Sequence, residues 1–112
     1  MIPKQYQWIE NKLLHTPISD HRKITIELVL SPYLVVIKQE SFNEAYTIIR
    51  QWIVQCNSLE VLKPSIDYFD NNKIGNAINN SLSNSIPPIK KENMQRKYPD
   101  WYEDFKVLRI LD

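Results

Sequence analysis

The scarcity of glycine is the feature that most limits the folds open to this chain. One glycine and seven prolines occur among its 112 residues. Tight β-hairpin turns need glycine where the backbone angle φ is positive, so a sheet fold built on such turns is disfavoured. Apolar residues also recur at spacings of three and four along most of the chain, which is the period of an amphipathic helix. We therefore predict an all-α fold, a compact bundle of five or six helices.

Local signals place the boundaries of most helices. Ser41 and Glu44 form a capping box, in which each side chain satisfies a free backbone N–H at the start of a helix. Apolar residues then follow at helical spacing as far as Cys56. The stretch 79–88 is rich in serine and asparagine and is predicted to be a loop. Apart from the central helix described next, the other predicted helices run from Pro3 to His15, from Pro64 to about Leu82, from Lys91 to Lys97 and from Pro99 to about Leu111.

A further helix is predicted from Ser19 to about Gln39. It is apolar on nearly every side, as the central helix of a bundle would be. Ser19 or Asp20 is expected to cap its N-terminus. Pro32 lies in its interior, where the missing N–H and the bulky ring are expected to kink the helix or divide it at Ser31.

Three basic or titratable residues, His21, Arg22 and Lys23, fall in the first turn of this helix. Cations at a helix N-terminus cost about 0.3–1 kcal/mol each, because the helix dipole is positive there. A bound phosphate would offset this cost, since it would meet free backbone N–H groups and the three side chains together. The alternative is that Arg22 and Lys23 only extend into solvent, and that His21 serves as a local cap or packing residue.

A second basic cluster occupies the last third of the chain, where cations stand beside aromatic residues. The cluster consists of Lys90, Lys91, Arg96, Lys97 and Tyr98. Single-stranded DNA suits such a combination, because its phosphates pair with the cations and its bases stack on the rings. These five residues are therefore predicted to contact single-stranded DNA. Trp101, which follows them, is expected to lie in the core of the last helix.

The composition excludes several classes of function. Lys and Arg total 14 against 13 Asp and Glu, so the net charge of +1 gives no general affinity for nucleic acid. No Asp-x-Asp pair is present to hold the divalent ions of a polymerase. A single cysteine, Cys56, permits neither an internal disulfide nor a cysteine-rich zinc site, and it is expected to be a buried thiol. We therefore expect no independent enzyme and no protein-held metal.

Length and hydropathy give the expected organisation and location. No apolar run is long enough to span a membrane, and the N-terminus lacks the apolar core of a signal peptide. A cytoplasmic protein with no membrane partner is therefore expected. The chain is long enough for one modest core, so one domain over residues 1–112 is expected.

Several short motifs resemble the helix-bundle accessory domain of archaeal primases. They are Asp20-His21-Arg22-Lys23, Pro32-Tyr33-Leu34, Ser41-x-x-Glu44-Ala45, Ile48-Ile49-x-x-Trp52-x-x-x-Cys56, Ile86-Pro87-Pro88-Ile89 and Lys97-Tyr98-Pro99-x-x-Tyr102. This group includes the domain that follows the primase-polymerase module of archaeal plasmid replication proteins. It also includes the non-catalytic subunit X of the crenarchaeal primase, which is related in fold to the C-terminal domain of the primase large subunit.

The resemblance implies a non-catalytic module that supports primer synthesis by a separate catalytic primase domain or subunit. It would bind ATP or another initiating nucleotide triphosphate, together with single-stranded DNA template. His21, Arg22 and Lys23 would meet the phosphates, and Tyr33 would lie near the base or ribose. Mg²⁺ would accompany the nucleotide. The large-subunit domain holds an iron–sulfur cluster with four cysteines, whereas this chain has one, so no cluster is implied.

Two other functions remain open from the sequence. A helical protein-interaction adaptor of a plasmid or virus would use the basic clusters to contact an acidic partner. A duplex-DNA-binding regulator would place one helix in the major groove. Binding that depends on the triphosphate favours the primase role, whereas a preference for duplex with a steep salt dependence favours the regulator.

Overall fold

A computed structural model describes residues 2–59 and 65–111, and these residues form helices and no strand. The predicted all-α fold is confirmed. Seven α-helices occur within the described residues: α1 (Gln7–Asn11), α2 (Arg22–Thr25), α3 (Phe42–Asn57), α4 (Ile66–Tyr68), α5 (Ile74–Asn84), α6 (Lys91–Lys97) and α7 (Pro99–Val107). Short 3₁₀ helices at Lys4–Tyr6 and Leu13–His15 flank α1. Wider π turns at Ile26–Leu30 and Tyr33–Ile37 follow α2, and another at Phe69–Lys73 follows α4.

The seven α-helical segments correspond to six predicted helices, because a π turn divides one predicted helix into α4 and α5. The helix expected from Pro64 onward forms α4 with its π turn and then α5. Asn72 has a positive φ of 78° near this division, and Pro64 itself lies outside the described residues. α5 continues to Asn84, so the predicted loop over 79–88 begins later than expected.

The central helix spans residues 22–37, because α2 continues through both π turns that follow it. Ser31 and Pro32 both have helical backbone angles, so the helix is not divided at Ser31. In a regular α-helix the carbonyl of Leu28 would accept the N–H of residue 32, which proline lacks. The N–H of Ile89 donates to that carbonyl at 3.0 Å, which holds the segment before α6 against the central helix.

The central helix begins later than predicted, at Arg22. His21 precedes it in the left-handed region (φ 63°, ψ 23°), and no side chain caps the helix. Asp20 Oδ1 accepts the N–H of His21 at 2.7 Å, which forms a bend before the helix. The predicted cap at Ser19 or Asp20 is therefore wrong. The carbonyl of His21 instead accepts the N–H and the hydroxyl of Thr25, at 3.0 and 2.7 Å.

α3 packs beside the central helix and begins where the sequence predicted. The hydroxyl of Ser41 accepts the N–H of Glu44 at 3.2 Å. Trp52 is buried and donates its indole N–H to the carbonyl of Leu13 at 3.1 Å. Cys56 is buried as predicted, and its burial raises the pKa of the thiol to about 11. The reactive thiolate is therefore scarce at neutral pH.

α7 contributes aromatic side chains to the core near the start of the central helix. Trp101 is buried, so its predicted core position is confirmed. Its Nε1 donates to Thr25 Oγ1 at 3.0 Å. Phe105 lies between Trp101 and Trp8, with edge-to-face ring distances of 5.6 and 6.2 Å. None of the helices in the described ranges is long and apolar enough to cross a membrane.

Candidate functional site

A cavity of about 690 Å³ lies beside the first two turns of the central helix. It brings His21, Arg22 and Lys23 together with Tyr98 from the second basic cluster. The rest of the lining consists of Ser19, the carboxylates of Asp20 and Glu27, the rings of Tyr68 and Phe69, and the apolar side chains of Ile24 and Leu28. We call this the cationic cavity. Sequence analysis did not select Tyr68, Phe69 or Glu27 as candidate site residues.

Arg22 is built into the wall of the cationic cavity and is only 4% exposed. Its guanidinium lies over the ring of Phe69, 5.1 Å from the centroid. Its Nη1 also donates to Asn57 Oδ1 at 3.3 Å. The alternative in which Arg22 extends into solvent is therefore wrong. Burial lowers the pKa of the guanidinium, but the ordinary pKa of arginine lies far above neutral pH, so the group stays charged.

Lys23 is the exposed cation of the cavity. It makes no hydrogen bond or ion pair with any residue in the described part of the chain. It also lines a neighbouring cavity of about 240 Å³, together with Lys73. The ammonium of Lys73 lies over the ring of Tyr68, 5.3 Å from the centroid. Lys23 can therefore move toward an anion without breaking a hydrogen bond or an ion pair to the described residues.

His21 is held by carboxylates rather than pointing alone into the cavity. Its Nε2 lies 2.9 Å from Asp104 Oδ2 and 3.7 Å from Asp20 Oδ2. The two carboxylates therefore supply part of the negative charge that offsets the cationic start of the central helix. Through Asp104, His21 also connects this helix to α7, which is the packing role considered for it. Ligand atoms of these three residues lie within 4.8 Å of one another, so together they are able to hold a divalent cation.

Tyr33 does not line the cationic cavity. It is fully buried, and its hydroxyl donates to Glu10 Oε1 at 2.7 Å. Lys38 donates to the same carboxylate oxygen at 3.0 Å. Tyr33 follows Lys23 by ten residues, which is about 15 Å along a helix. The structure therefore gives Tyr33 a place in the core and does not support the predicted contact with a base or ribose.

The second basic cluster divides into residues that line a groove and residues that do not. Lys90, Lys97 and Tyr98 line a groove of about 370 Å³ that runs along the segment before α6. Tyr98 is 36% exposed, and its ring packs edge-to-face on Trp101 with centroids 5.7 Å apart. Lys91 is half-buried and donates to the carbonyl of Leu111 at 2.6 Å.

Arg96 also lies outside the groove. Its Nη2 donates to Asn93 Oδ1 at 3.1 Å on the exposed face of α6. Three of the five residues predicted to contact DNA therefore line the groove, whereas Lys91 is bound to Leu111 and Arg96 reaches the groove only through Asn93. Side chains between Lys90 and Lys97 point in different directions because this segment is helical. Sequence order alone does not indicate which of them face the groove.

Three asparagines that sequence analysis did not select also line the groove. They are Asn80, Asn84 and Asn93. Asn84 Nδ2 donates to Asn80 Oδ1 at 2.6 Å, which leaves an amide donor on Asn80 and an amide acceptor on Asn84 for other partners. The asparagine-rich stretch 79–88 was the available signal for these residues. It was predicted to be a loop, so the alignment of two amide groups on one face of α5 was not expected.

The cationic cavity and the groove share part of their lining. Leu28 and Tyr98 line both, and Glu27 lines both of them and the smaller cavity beside Lys73. The two basic clusters of the sequence are therefore parts of one contiguous concave surface. A ligand in the cationic cavity would lie next to a ligand in the groove.

Comparison with known families identifies the chain. The sequence model of the family described as Primase X matches residues 6–108. The chain belongs to the Primase X family. The resemblance to the primase accessory domain is thereby confirmed, and membership in the Primase X family indicates a primase-related accessory role. A search of curated proteins finds no match.

Proposed function

We propose that this Primase X family member is a non-catalytic accessory module that holds an initiating nucleotide triphosphate beside a single-stranded DNA template. The observation that carries the proposal is the contiguity of the cationic cavity with the groove through Leu28 and Tyr98. A separate catalytic primase domain or subunit would join the nucleotides. The family membership supports the primase connection, and the shape and charge of the surface support the two ligands.

The cationic cavity suits ATP or another nucleoside triphosphate. Arg22 supplies a fixed charge, because its guanidinium is held by Phe69 and Asn57. Lys23 supplies a mobile ammonium that gains a charge-assisted hydrogen bond when a phosphate arrives. The rings of Tyr68 and Tyr98 offer faces or edges against which a base can pack. Mg²⁺ would arrive with the phosphates, which are its preferred ligands in nucleotide sites.

The groove suits a single strand with its bases unstacked. Lys90 and Lys97 would pair with phosphates, and Tyr98 would stack on a base. The free amide groups of Asn80 and Asn84 match the Watson–Crick edges of bases, which are accessible only when the strand is not in a duplex. The groove therefore favours single-stranded template over duplex DNA.

An NMR amide-shift titration tests the proposal. ATP, inorganic tripolyphosphate and adenosine would be added separately, followed by a short single-stranded DNA and by the matching duplex. We expect shifts at Arg22 and Lys23 that require the triphosphate, and shifts at Lys97 and Tyr98 that prefer the single strand. Lys23→Ala should need about ten times more ATP to give the first set. Lys4→Ala, which removes an exposed lysine that lines none of the three cavities, should give it unchanged.

The same titration separates the other two functions. No shift at millimolar ATP would contradict nucleotide binding and would favour the protein-interaction adaptor. A preference for the duplex, with affinity that falls steeply with salt, would favour the regulator. Triphosphate-dependent shifts without a response to single-stranded DNA would retain the nucleotide site and remove the groove from the proposal.

A further inference from the structure

Two carboxylates, those of Asp20 and Glu27, line the cationic cavity. Asp20 is engaged with His21, so Glu27 is the acidic residue that remains among the cations. It lies four residues after Lys23, so the two side chains share a face of the helix and are separated by about 6 Å along its axis. It is exposed, and it lines the cationic cavity, the groove and the smaller cavity beside Lys73. Any ligand that extends from Lys23 along the central helix would pass this carboxylate.

Glu27 is not used to neutralise its basic neighbours. It makes no hydrogen bond or ion pair with the described residues, although Lys23 and Lys73 line the same small cavity. Both carboxylate oxygens therefore remain able to accept hydrogen bonds, and an ionised carboxylate can only accept. Its charge repels phosphate oxygens at short range. A nucleotide in the cavity would thus place its phosphates at Arg22 and Lys23 and a neutral donor group at Glu27.

The neutral donors nearest to the phosphates of a nucleotide are the hydroxyls of the ribose. We infer that Glu27 recognises the 2′- and 3′-hydroxyls of a ribonucleoside triphosphate, so that the cavity selects ribonucleotides over deoxynucleotides. This inference rests on the proposed function, because it concerns the same nucleotide. It assigns a sugar-recognition role to a residue that the basic motifs of the sequence do not include. An acidic side chain binds ribose hydroxyls in the same chemical manner in dinucleotide-binding folds.

Isothermal titration of four ligands tests the role of Glu27. ATP, 2′-deoxy-ATP, 2′,3′-dideoxy-ATP and inorganic tripolyphosphate would be titrated into the unmodified protein and into Glu27→Ala. EDTA would be present, so that no metal bridges the carboxylate and a phosphate. The unmodified protein should bind ATP about tenfold more tightly than dideoxy-ATP, as expected for hydrogen bonds to a charged group. The 2′-deoxy nucleotide should fall between them.

Glu27→Ala should change these affinities in opposite directions. ATP should bind more weakly because the hydroxyl contacts are lost, whereas tripolyphosphate should bind more tightly because a repulsive charge is removed. Glu92→Ala removes an exposed carboxylate of α6 that lines none of the three cavities, so it should leave the preference for ATP unchanged. Glu27→Gln, which keeps the side-chain shape, repeats the test if Glu27→Ala folds poorly.

Three results would overturn the inference. The first is equal affinity of the unmodified protein for ATP and dideoxy-ATP. The second is a ribonucleotide preference that survives both Glu27 substitutions. The third comes from also titrating UTP and 2′,3′-dideoxy-UTP. A preference for the ribonucleotide that is present with adenine but absent with uracil would assign the carboxylate to a base amino group. If none of the nucleotides binds, the proposed function fails as well, which distinguishes that failure from an error about Glu27 alone.

Discussion

The backbone N–H of Ile89 donates to the carbonyl of Leu28 at 3.0 Å, across the interface between the groove segment and the central helix. Pro32 makes this contact favourable, because it lacks the N–H that would bond to Leu28 in a regular helix. A proline inside a helix usually destabilises the helix. Here it is the point at which one wall of the groove attaches to the helix that lines the cationic cavity.

Pro32→Ala should weaken this attachment. The new N–H at position 32 competes for the carbonyl of Leu28, so the amide of Ile89 should exchange with solvent faster. Affinity for single-stranded DNA should fall with it, because the groove wall is less ordered. Hydrogen exchange followed by NMR measures the first effect. An unchanged exchange rate at Ile89 would show that the attachment does not depend on the missing donor.

Substitution of Lys23 should mainly affect ATP affinity, whereas substitution of Arg22 should also affect the stability of the fold. Lys23→Ala should weaken ATP binding about tenfold through loss of a charge-assisted contact, while the free energy of unfolding changes by less than about 0.5 kcal/mol. Arg22→Ala should lower the free energy of unfolding by about 2 kcal/mol, because the stem and guanidinium pack in the core. Urea denaturation and calorimetric titration of both variants measure these effects.

The Arg22 and Lys23 prediction has a matched variant. Arg22→Lys keeps the positive charge but loses the planar group that stacks on Phe69, so it should be destabilised while retaining part of the ATP affinity. If Arg22→Ala were as stable as the unmodified protein, the buried contacts of the guanidinium would contribute little to the fold.

Tyr33→Phe should affect stability rather than nucleotide binding. The lost hydrogen bond to Glu10 should cost about 1.5 kcal/mol at neutral pH, with ATP affinity unchanged. Burial alone would raise the pKa of Glu10, but the hydrogen bonds from Tyr33 and Lys38 lower it below its ordinary value. Thermal melts of the folded variant and a titration with ATP test both parts.

The effect of Tyr33→Phe should also depend on pH. Because the pKa of Glu10 is lowered by folding, its contribution is present above the unfolded pKa of about 4.3 and is lost as pH falls through the folded value. The stability difference between the two proteins should therefore be smaller at pH 3 than at pH 7. A loss of ATP affinity in Tyr33→Phe at neutral pH would instead support the predicted contact between Tyr33 and the nucleotide.

Lys97→Ala and Lys90→Ala should each reduce the salt dependence of DNA binding. Each phosphate contact to a single strand contributes about 0.7 to the slope of log affinity against log salt concentration. Lys91→Ala should leave the slope unchanged, since its ammonium is bound to the carbonyl of Leu111. Fluorescence anisotropy at several salt concentrations gives the slopes. Equal slopes for all the variants would remove the groove lysines from the DNA contact.

Gly75→Ala should stabilise the protein. Gly75 lies in α5 with a negative φ, and an added Cβ would lie 3.7 Å from Phe42 Cζ, which is an ordinary packing distance. Replacing a helical glycine with alanine contributes about 1 kcal/mol, which corresponds to about 5 °C in Tm for a chain of this size. Differential scanning calorimetry measures it, and an unchanged or lower Tm would indicate a contact that the added methyl disturbs.

The sequence by itself determined the class of fold and several helix boundaries, because both depend on local interactions. Ser41 caps α3 as predicted, since its hydroxyl and the N–H of Glu44 are three residues apart. Helical periodicity likewise needs only neighbouring turns. The two basic clusters were also visible in the sequence, as was the family resemblance that the Primase X match confirms.

Tertiary structure decided which of the selected residues face the candidate site. Tyr33 meets Glu10 across 23 residues of sequence, and Arg22 meets Asn57 across 35. Glu27 became a candidate only because the tertiary structure places it in the lining of three cavities. The burial of a side chain and its hydrogen-bond partners depend on which surfaces pack together. The period of apolar residues indicates which face of a helix is buried, but it does not indicate which other helix packs against that face. Packing between distant segments therefore set the site, whereas local spacing had already set the helices.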